Sequence, residues 1–301
     1  MEGLLENLDQ DSILSQTLRS KYIFYIVPML NPDGAQVYSR LNANHVDLNR
    51  DAVKRVAKES QLLRSRLENF DPEFCFNLHD QRTIFGVSGT DKPATISFLA
   101  PSEEVTRKLT DGRKKTMNVI AAMNQVLQEM IPNHVGRYTD EFYPTATGDN
   151  FQKLGYPTIL IESGHYKDDY AREKVRYFIF SSLLVAIDTI CNNEKLGTEY
   201  EAYFDIPMNQ KLFYDIIIRD ATLGTKSESV DIAVQYKEVL EGKTIKFKPE
   251  IRTIGQLQDY YAHREVNAGK TLVMGAKKQK LFEGYANDFV FINNELFSLK
   301  L

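Results

Sequence analysis

The sequence predicts an α/β domain, with helices flanking a sheet, followed by a smaller β-rich domain. Three observations carry this. Two continuous apolar runs, Tyr22–Met29 and Thr158–Ile161, have the character of buried strands. Around them, apolar residues recur every three or four positions, as on the core-facing stripe of a helix. Beyond Asn209 the period falls to two, as on half-buried strands. The expected boundary divides residues 1–203 from 204–301, and a chain of 301 residues suits a large domain with a smaller one.

In chain order, Leu4, Leu5, Leu8, Ile13 and Leu18 are loosely spaced as in the later part of a helix, which meets the strand Tyr22–Met29 at Lys21. Asn31-Pro32-Asp33-Gly34 predicts a tight turn: Pro fixes φ, Asp caps locally and Gly tolerates positive φ. Ala52–Phe70 reads as a helix with Val53, Val56, Leu63 and Leu67 on one stripe, ended by Asp71-Pro72. Glu73–Leu78 is a second strand with His79 at its carboxyl end, and Ala94–Leu99 a third. Ser102–Met130 is expected as a long helix with Ser102 as N-cap, closed by Pro132. His134–Gln152 reads as a loop, and Thr158–Ile161 as a central strand ending at Glu162. Tyr177, Phe180, Leu184, Ile187 and Cys191 form a helical stripe, and Asn192–Asn209 reads as a polar linker. Val230, Ile232, Val234 and Tyr236 then alternate, as do residues around Ile245 and Phe247. Val290-Phe291-Ile292, Asn293-Asn294 and Leu296-Phe297 read as a hairpin.

Composition narrows the class. Hydrophobic content of 43% and charged content of 26% describe an ordinary globule, and a net charge of −4 gives no footprint for nucleic acid. Cys75 and Cys191 sit in apolar patterns and are expected reduced rather than bridged. No apolar run is long enough to span a membrane, and MEGLLENLDQDS lacks the form of a signal peptide, so the expected compartment is the cytoplasm.

Chemistry concentrates on a few residues. Arg40, Asn49 and Arg50 follow the first strand, and open α/β sheets place ligand sites at the carboxyl ends of strands. Two guanidiniums and an amide suit an anion, most simply a carboxylate. Glu162 directly follows a buried strand, where a carboxylate is costly unless paired or functional. His79 stands at the mouth of the sheet, with Asp80 beside it as a group that would orient its imidazole.

The motifs NPDG, an Arg, DLNR, FNLHD and ILIESG, in this order, resemble the zinc carboxypeptidase family over roughly residues 22–190. The resemblance implies a mixed, mostly parallel sheet flanked by helices. It also implies a hydrolase that removes the last residue from a peptide with a free terminal carboxylate. His79 would be a zinc ligand, Glu162 the general base, and Arg40 the stabiliser of the oxyanion. Asn49 and Arg50 would hold the terminal carboxylate. FYPTATGDNF resembles the family's mobile loop, making Tyr143 the residue that closes over substrate, with Tyr138 as the fallback. Asp149 falls in the segment that shapes the specificity pocket and would favour a basic terminal side chain.

One part of the pattern is missing. The family's other two zinc ligands come from a His-x-x-Glu motif before the NPDG strand, and none of the five histidines begins one. The expectation is therefore an N-terminally truncated copy, weakly active or inactive. The alternatives are a non-catalytic carboxylate-binding module and a zinc deacylase of N-acyl amino acids.

Overall fold

The computed structural model describes Glu6 and residues 13–192, 195–224 and 228–301. The expectation for Leu4, Leu5 and Leu8 lies outside these residues. Helices are α1 (Ile13–Lys21), α2 (Pro32–Val37), α3 (Lys58–Phe70), α4 (Asp111–Met130), α5 (Thr147–Lys153) and α6 (Glu173–Asn192). Strands in the first half are β1 (Cys75–Asp80), β2 (Phe85–Val87), β3 (Ile96–Leu99), β4 (Val135–Arg137) and β5 (Thr158–Ser163). Two compact units form, residues 1–82 with 86–210, and residues 83–85 with 211–301.

The first unit is built on a four-stranded sheet in the order β1-β5-β3-β4. β1 pairs with β5 and β3 with β4 in parallel, while β3 and β5 run antiparallel. The sheet is thus mixed and mostly parallel, as the family resemblance implies. Alternation along each strand sends Ile96, Phe98, Ile159 and Ile161 to one face. There they meet Met117, Ile120, Met123 and Leu127 of α4 and Leu183 and Ala186 of α6 in one buried core. The opposite face carries the polar residues described below.

Several expectations need correction. Tyr22–Met29 is extended but forms no strand pairing, and Ile23, Tyr25, Val27 and Met29 face solvent. An apolar run registers as a strand only where a neighbouring backbone completes its ladder, and no described segment does so here. NPDG is not a turn but the start of α2: Asn31 caps it by accepting the Gly34 N–H at 3.0 Å, with Pro32 in the first helical position. Gly34 is required by close approach, since a Cβ there would collide with the Asn31 amide and the Ser39 carbonyl. The Ala52–Phe70 helix begins only at Lys58, because Asp51 accepts the Val56 and Ala57 N–H groups and holds the intervening residues as a loop. The helix expected from Ser102 begins at Asp111, capped by Thr110; Ser102 instead donates to the Asp140 carbonyl.

The loop expected over His134–Gln152 contains β4 and α5. Residues 195–209 are no linker. Asn118 of α4 accepts the Gly197 N–H and donates to the Glu199 carbonyl, and Tyr203 and Ile206 join the buried core. Helix α6 presents two apolar faces. One meets the main core, while Phe180, Leu184 and Ile187 pack with Leu18, Tyr22 and Phe24, and Tyr177 faces solvent. At 20 residues and a mean hydropathy of 1.4, α6 is long and apolar enough to cross a membrane by length and composition, against the expectation from the sequence.

The second unit contains β7 (Phe213–Ala221), β8 (Val230–Glu241), β9 (Thr244–Gly255) and β10 (Tyr261–Asn267), ordered β10-β7-β8-β9; β6 (Asn209–Lys211) precedes them. β11 (Val273–Met274), β12 (Phe289–Ile292) and β13 (Glu295–Ser298) form a second, antiparallel sheet. The β12–β13 hairpin is as expected. Asn293 and Asn294 both take positive φ, which matches a two-residue loop to the strand twist.

Candidate active site

The site is a row across the sheet. His79 on β1 is in register with Glu162 on β5, Glu162 with Ser97 on β3, and Ser97 with Gly136 on β4. In-register neighbours project to the same face, so these residues share the face opposite the core. Two residues toward the amino end of β1, Asn77 lies beside Leu160, and helix α5 covers that pair: a Cβ on Gly148 would meet the Asn77 amide at 3.0 Å. The helix therefore stops one row short of His79 and Glu162.

Burial disfavours the charged form of both residues. Burial pulls His79 down to about 4, and the Arg40 and Arg50 charges push the same way against Asp47. Burial lifts Glu162 to about 7, the Asp80 charge adds to this, and Arg40 opposes it. His79 Nε2 and Glu162 Oε2 are shielded from solvent with no hydrogen-bond partner. Buried polar atoms are rarely left so, and orphans cluster where a ligand or reaction needs them.

Arg40 is held by an organised loop. Asn31 donates to the Arg40 carbonyl at 3.2 Å, which ties the α2 cap to the arginine, and Arg40 Nε donates to Asp47 at 2.7 Å. Asp47 also accepts the Asn49 N–H, opening the 3-10 turn Leu48–Arg50. The Asn49 side chain accepts the Thr147 N–H at 3.1 Å, so the turn is fastened to the start of α5. Asp149 on that helix is buried; burial raises its proton affinity, while the Tyr143 N–H and the Arg50 charge lower it. Its carboxylate accepts the Tyr143 N–H at 3.0 Å. Tyr143 itself is exposed, and its hydroxyl donates to Glu141.

His79 and Glu162 thus share one row, the Arg40 charge acts on both and the Arg50 charge on His79, while Asn49 is fastened to the adjoining helix that carries Asp149. Tyr143 lies on the bordering loop. Asp80 does not orient the His79 imidazole. It follows His79 on the strand, projects to the other face, and makes a two-pronged pair with Arg172 at 2.9 and 3.3 Å. Sequence reasoning missed Ser97, which lies on the row, and Gln81 and Asn209, which border it, because isolated polar residues carry no spacing signal. It also missed Arg113, whose place in an α4 pattern gives no sign that its guanidinium is buried.

Zinc can be tested against these residues. His79 Nε2 is a neutral, buried, unpartnered donor of the right type. Among the described residues, however, no three His, Cys, Asp or Glu side chains group to hold a metal ion. The described residues do not fit a complete zinc site.

No family model matches the chain. It is 53% identical over 45 residues to cytosolic carboxypeptidase 1 of Mus musculus, a match covering 15% of this chain and 3% of that protein. It is 33% identical over 89 residues to an uncharacterized protein of Zymomonas mobilis, covering 28% of this chain and 23% of the relative. Among solved structures, a putative carboxypeptidase A from Shewanella denitrificans aligns at 21% identity with a TM-score of 0.49, over 63% of this chain and 52% of that one. The matches thus span about half of that crystallised chain and far less of the curated relatives.

Proposed function

We propose that this zinc-carboxypeptidase-like chain is built to bind a peptide by its free C-terminal carboxylate and to hydrolyse the last peptide bond. The observation that carries the proposal is the in-register pair His79–Glu162, with the Arg40 charge acting on both. Asn49 and Arg50 hold the carboxylate, Arg50 as a two-pronged donor. A proton affinity near neutrality lets Glu162 take a proton from water and return it to the leaving amine. Arg40 stabilises the oxyanion that forms as water attacks. Tyr143 closes over the bound residue, and Asp149 meets a basic terminal side chain.

On this reading His79 would be one zinc ligand. The lack of a three-ligand group among the described residues favours, as a second reading, a carboxylate-binding module without turnover.

The test is calorimetric binding of a peptide and its C-terminal amide. The acid is expected to bind more tightly, and Arg50→Ala to lose roughly 2–5 kcal/mol of that binding, as when a hydrogen-bonded charge pair loses one partner. Equal affinity for acid and amide removes the clamp. In the same titration a terminal Lys is expected to exceed Phe, and a reversed order counts against Asp149.

A further inference from the structure

The Tyr143 hydroxyl is taken by its own loop. The side chain is 52% exposed, and the phenol donates to Glu141 Oε2 at 2.7 Å, two residues earlier in the chain. Glu141 is itself exposed and has had no part in the chemistry so far.

The backbone around Tyr143 has little freedom to move. Upstream, the Asp140 carbonyl accepts from Ser102, and its carboxylate is held by Arg107 and Arg113. The Tyr143 N–H is fastened to Asp149 at 3.0 Å, and the Tyr143 carbonyl accepts the Ala146 N–H at 2.8 Å. Downstream, the Pro144 carbonyl accepts from Asn150 and the Thr145 carbonyl from the Ala52 N–H. The Lys153 ammonium lies over the Phe142 ring, 5.7 Å from its centre. The ring of Pro144 also confines the backbone of the preceding Tyr143 to extended conformations. A segment tied at so many points does not swing as a flap. Rotation about the Tyr143 side-chain bonds stays free, exchanging one staggered arrangement for another. That rotation breaks the hydrogen bond to Glu141.

Resting on the reading of Tyr143 as the residue that closes over substrate, we propose that Glu141 is a latch on that closure. It holds the phenol on the loop, and the ring reaches a bound peptide only by giving up the Glu141 carboxylate. Glu141 touches no substrate; it is a positioning residue that acts through Tyr143. The latch lowers peptide affinity by the fraction of molecules in which the ring is held. It opens for a ligand that gives the phenol a replacement partner, since only differential contacts shift such an equilibrium.

Calorimetry with Ala-Ala-Ala-Lys reads the latch, and the tetrapeptide amide reads the clamp. Glu141→Ala is expected to tighten tetrapeptide binding about two- to tenfold, the worth of one hydrogen bond. Glu141→Gln removes the charge but keeps an acceptor of the same shape, and is expected to stay within about twofold of wild type. On a Tyr143→Phe background there is no hydroxyl to hold, and Glu141→Ala is expected to change nothing. Unchanged or weaker binding in Glu141→Ala overturns the latch. An equal gain in Glu141→Gln, or on the Tyr143→Phe background, also overturns it, since that gain comes from removing a negative charge near an anionic peptide. In each of these cases a kept preference for acid over amide leaves the clamp standing. A wild-type chain without that preference removes the clamp, and with it the reading of Tyr143 on which the latch rests.

Discussion

Glu162 and His79 stand side by side and titrate in opposite senses. The folded state holds the Glu162 proton up to about 7, against 4.5 for an ordinary glutamate, so stability falls as pH rises through that window. His79 is neutral in the folded state down to about 4, against 6.5 for an ordinary histidine, so stability rises over that interval. Between 4.5 and 6.5 the two slopes oppose each other and largely cancel. Glu162→Gln removes the falling arm. The variant is expected to gain on wild type by up to about 3 kcal/mol more at pH 8 than at pH 5. Urea unfolding of both proteins at the two pH values measures it, and an equal difference at both removes the assigned burial of Glu162. This pairing was half legible: a carboxylate after a buried run and a histidine at a strand end were visible, and both lie on the row. Their adjacency was not visible, because register is set by tertiary pairing.

At the scale of elements, local signals misled where a side chain satisfied a partner far away in sequence. Ser102 had the form of an N-cap, but its hydroxyl serves the Asp140 carbonyl, and the α4 cap passes to Thr110. Arg113, the next part of that junction, is completely buried on α4. It pairs with Asp140 at 2.6 Å and donates to the carbonyls of Arg107 and Ala100, while Arg107 holds the other Asp140 oxygen at 3.1 Å. The two arginines anchor the loop that carries Tyr138 and Tyr143. Arg113→Met would leave the Asp140 carboxylate and the carbonyls of Ala100, Arg107 and Lys108 without their buried donor and is expected to cost roughly 3–5 kcal/mol. Proteolysis should then begin within residues 138–146, as located by mass spectrometry of the first fragments. Wild-type stability with unchanged cleavage would show that Arg113 is no anchor. Elements whose signals are self-contained were read well: β5 by its apolar run, α4 over most of its length, and the β12–β13 hairpin by its Asn pair.

At the scale of the molecule, the expected layering of helices against a mixed sheet is present, while Tyr22–Met29 shows what a sequence pattern cannot supply. Its side chains alternate in exposure as a strand's would, but strandedness is a property of two backbones, and the sequence of one does not announce the other. The proposed metal site has the same character. His79 brings one donor, and the described residues gather no group of three. This chain, dialysed against equimolar zinc, is expected to retain well below one ion per molecule and to hydrolyse C-terminal peptides slowly or not at all. Disturbing even a supporting partner of a metal ligand typically costs about 10–100-fold in affinity, and here the shortfall is in ligands themselves. Stoichiometric zinc by elemental analysis, with turnover, would overturn that expectation.

The row from His79 to Gly136 has a consequence for inheritance of change. Because three strand pairings set it, sliding β5 by one position would turn Glu162 toward the helices and bring an isoleucine or serine into its place beside His79. Evolution can exchange the loops that bring Arg40, Asn49 and Tyr143 one at a time. An insertion or deletion inside β1, β3 or β5 would instead dismantle the core and the chemistry in the same event, so these strands can vary only by substitution.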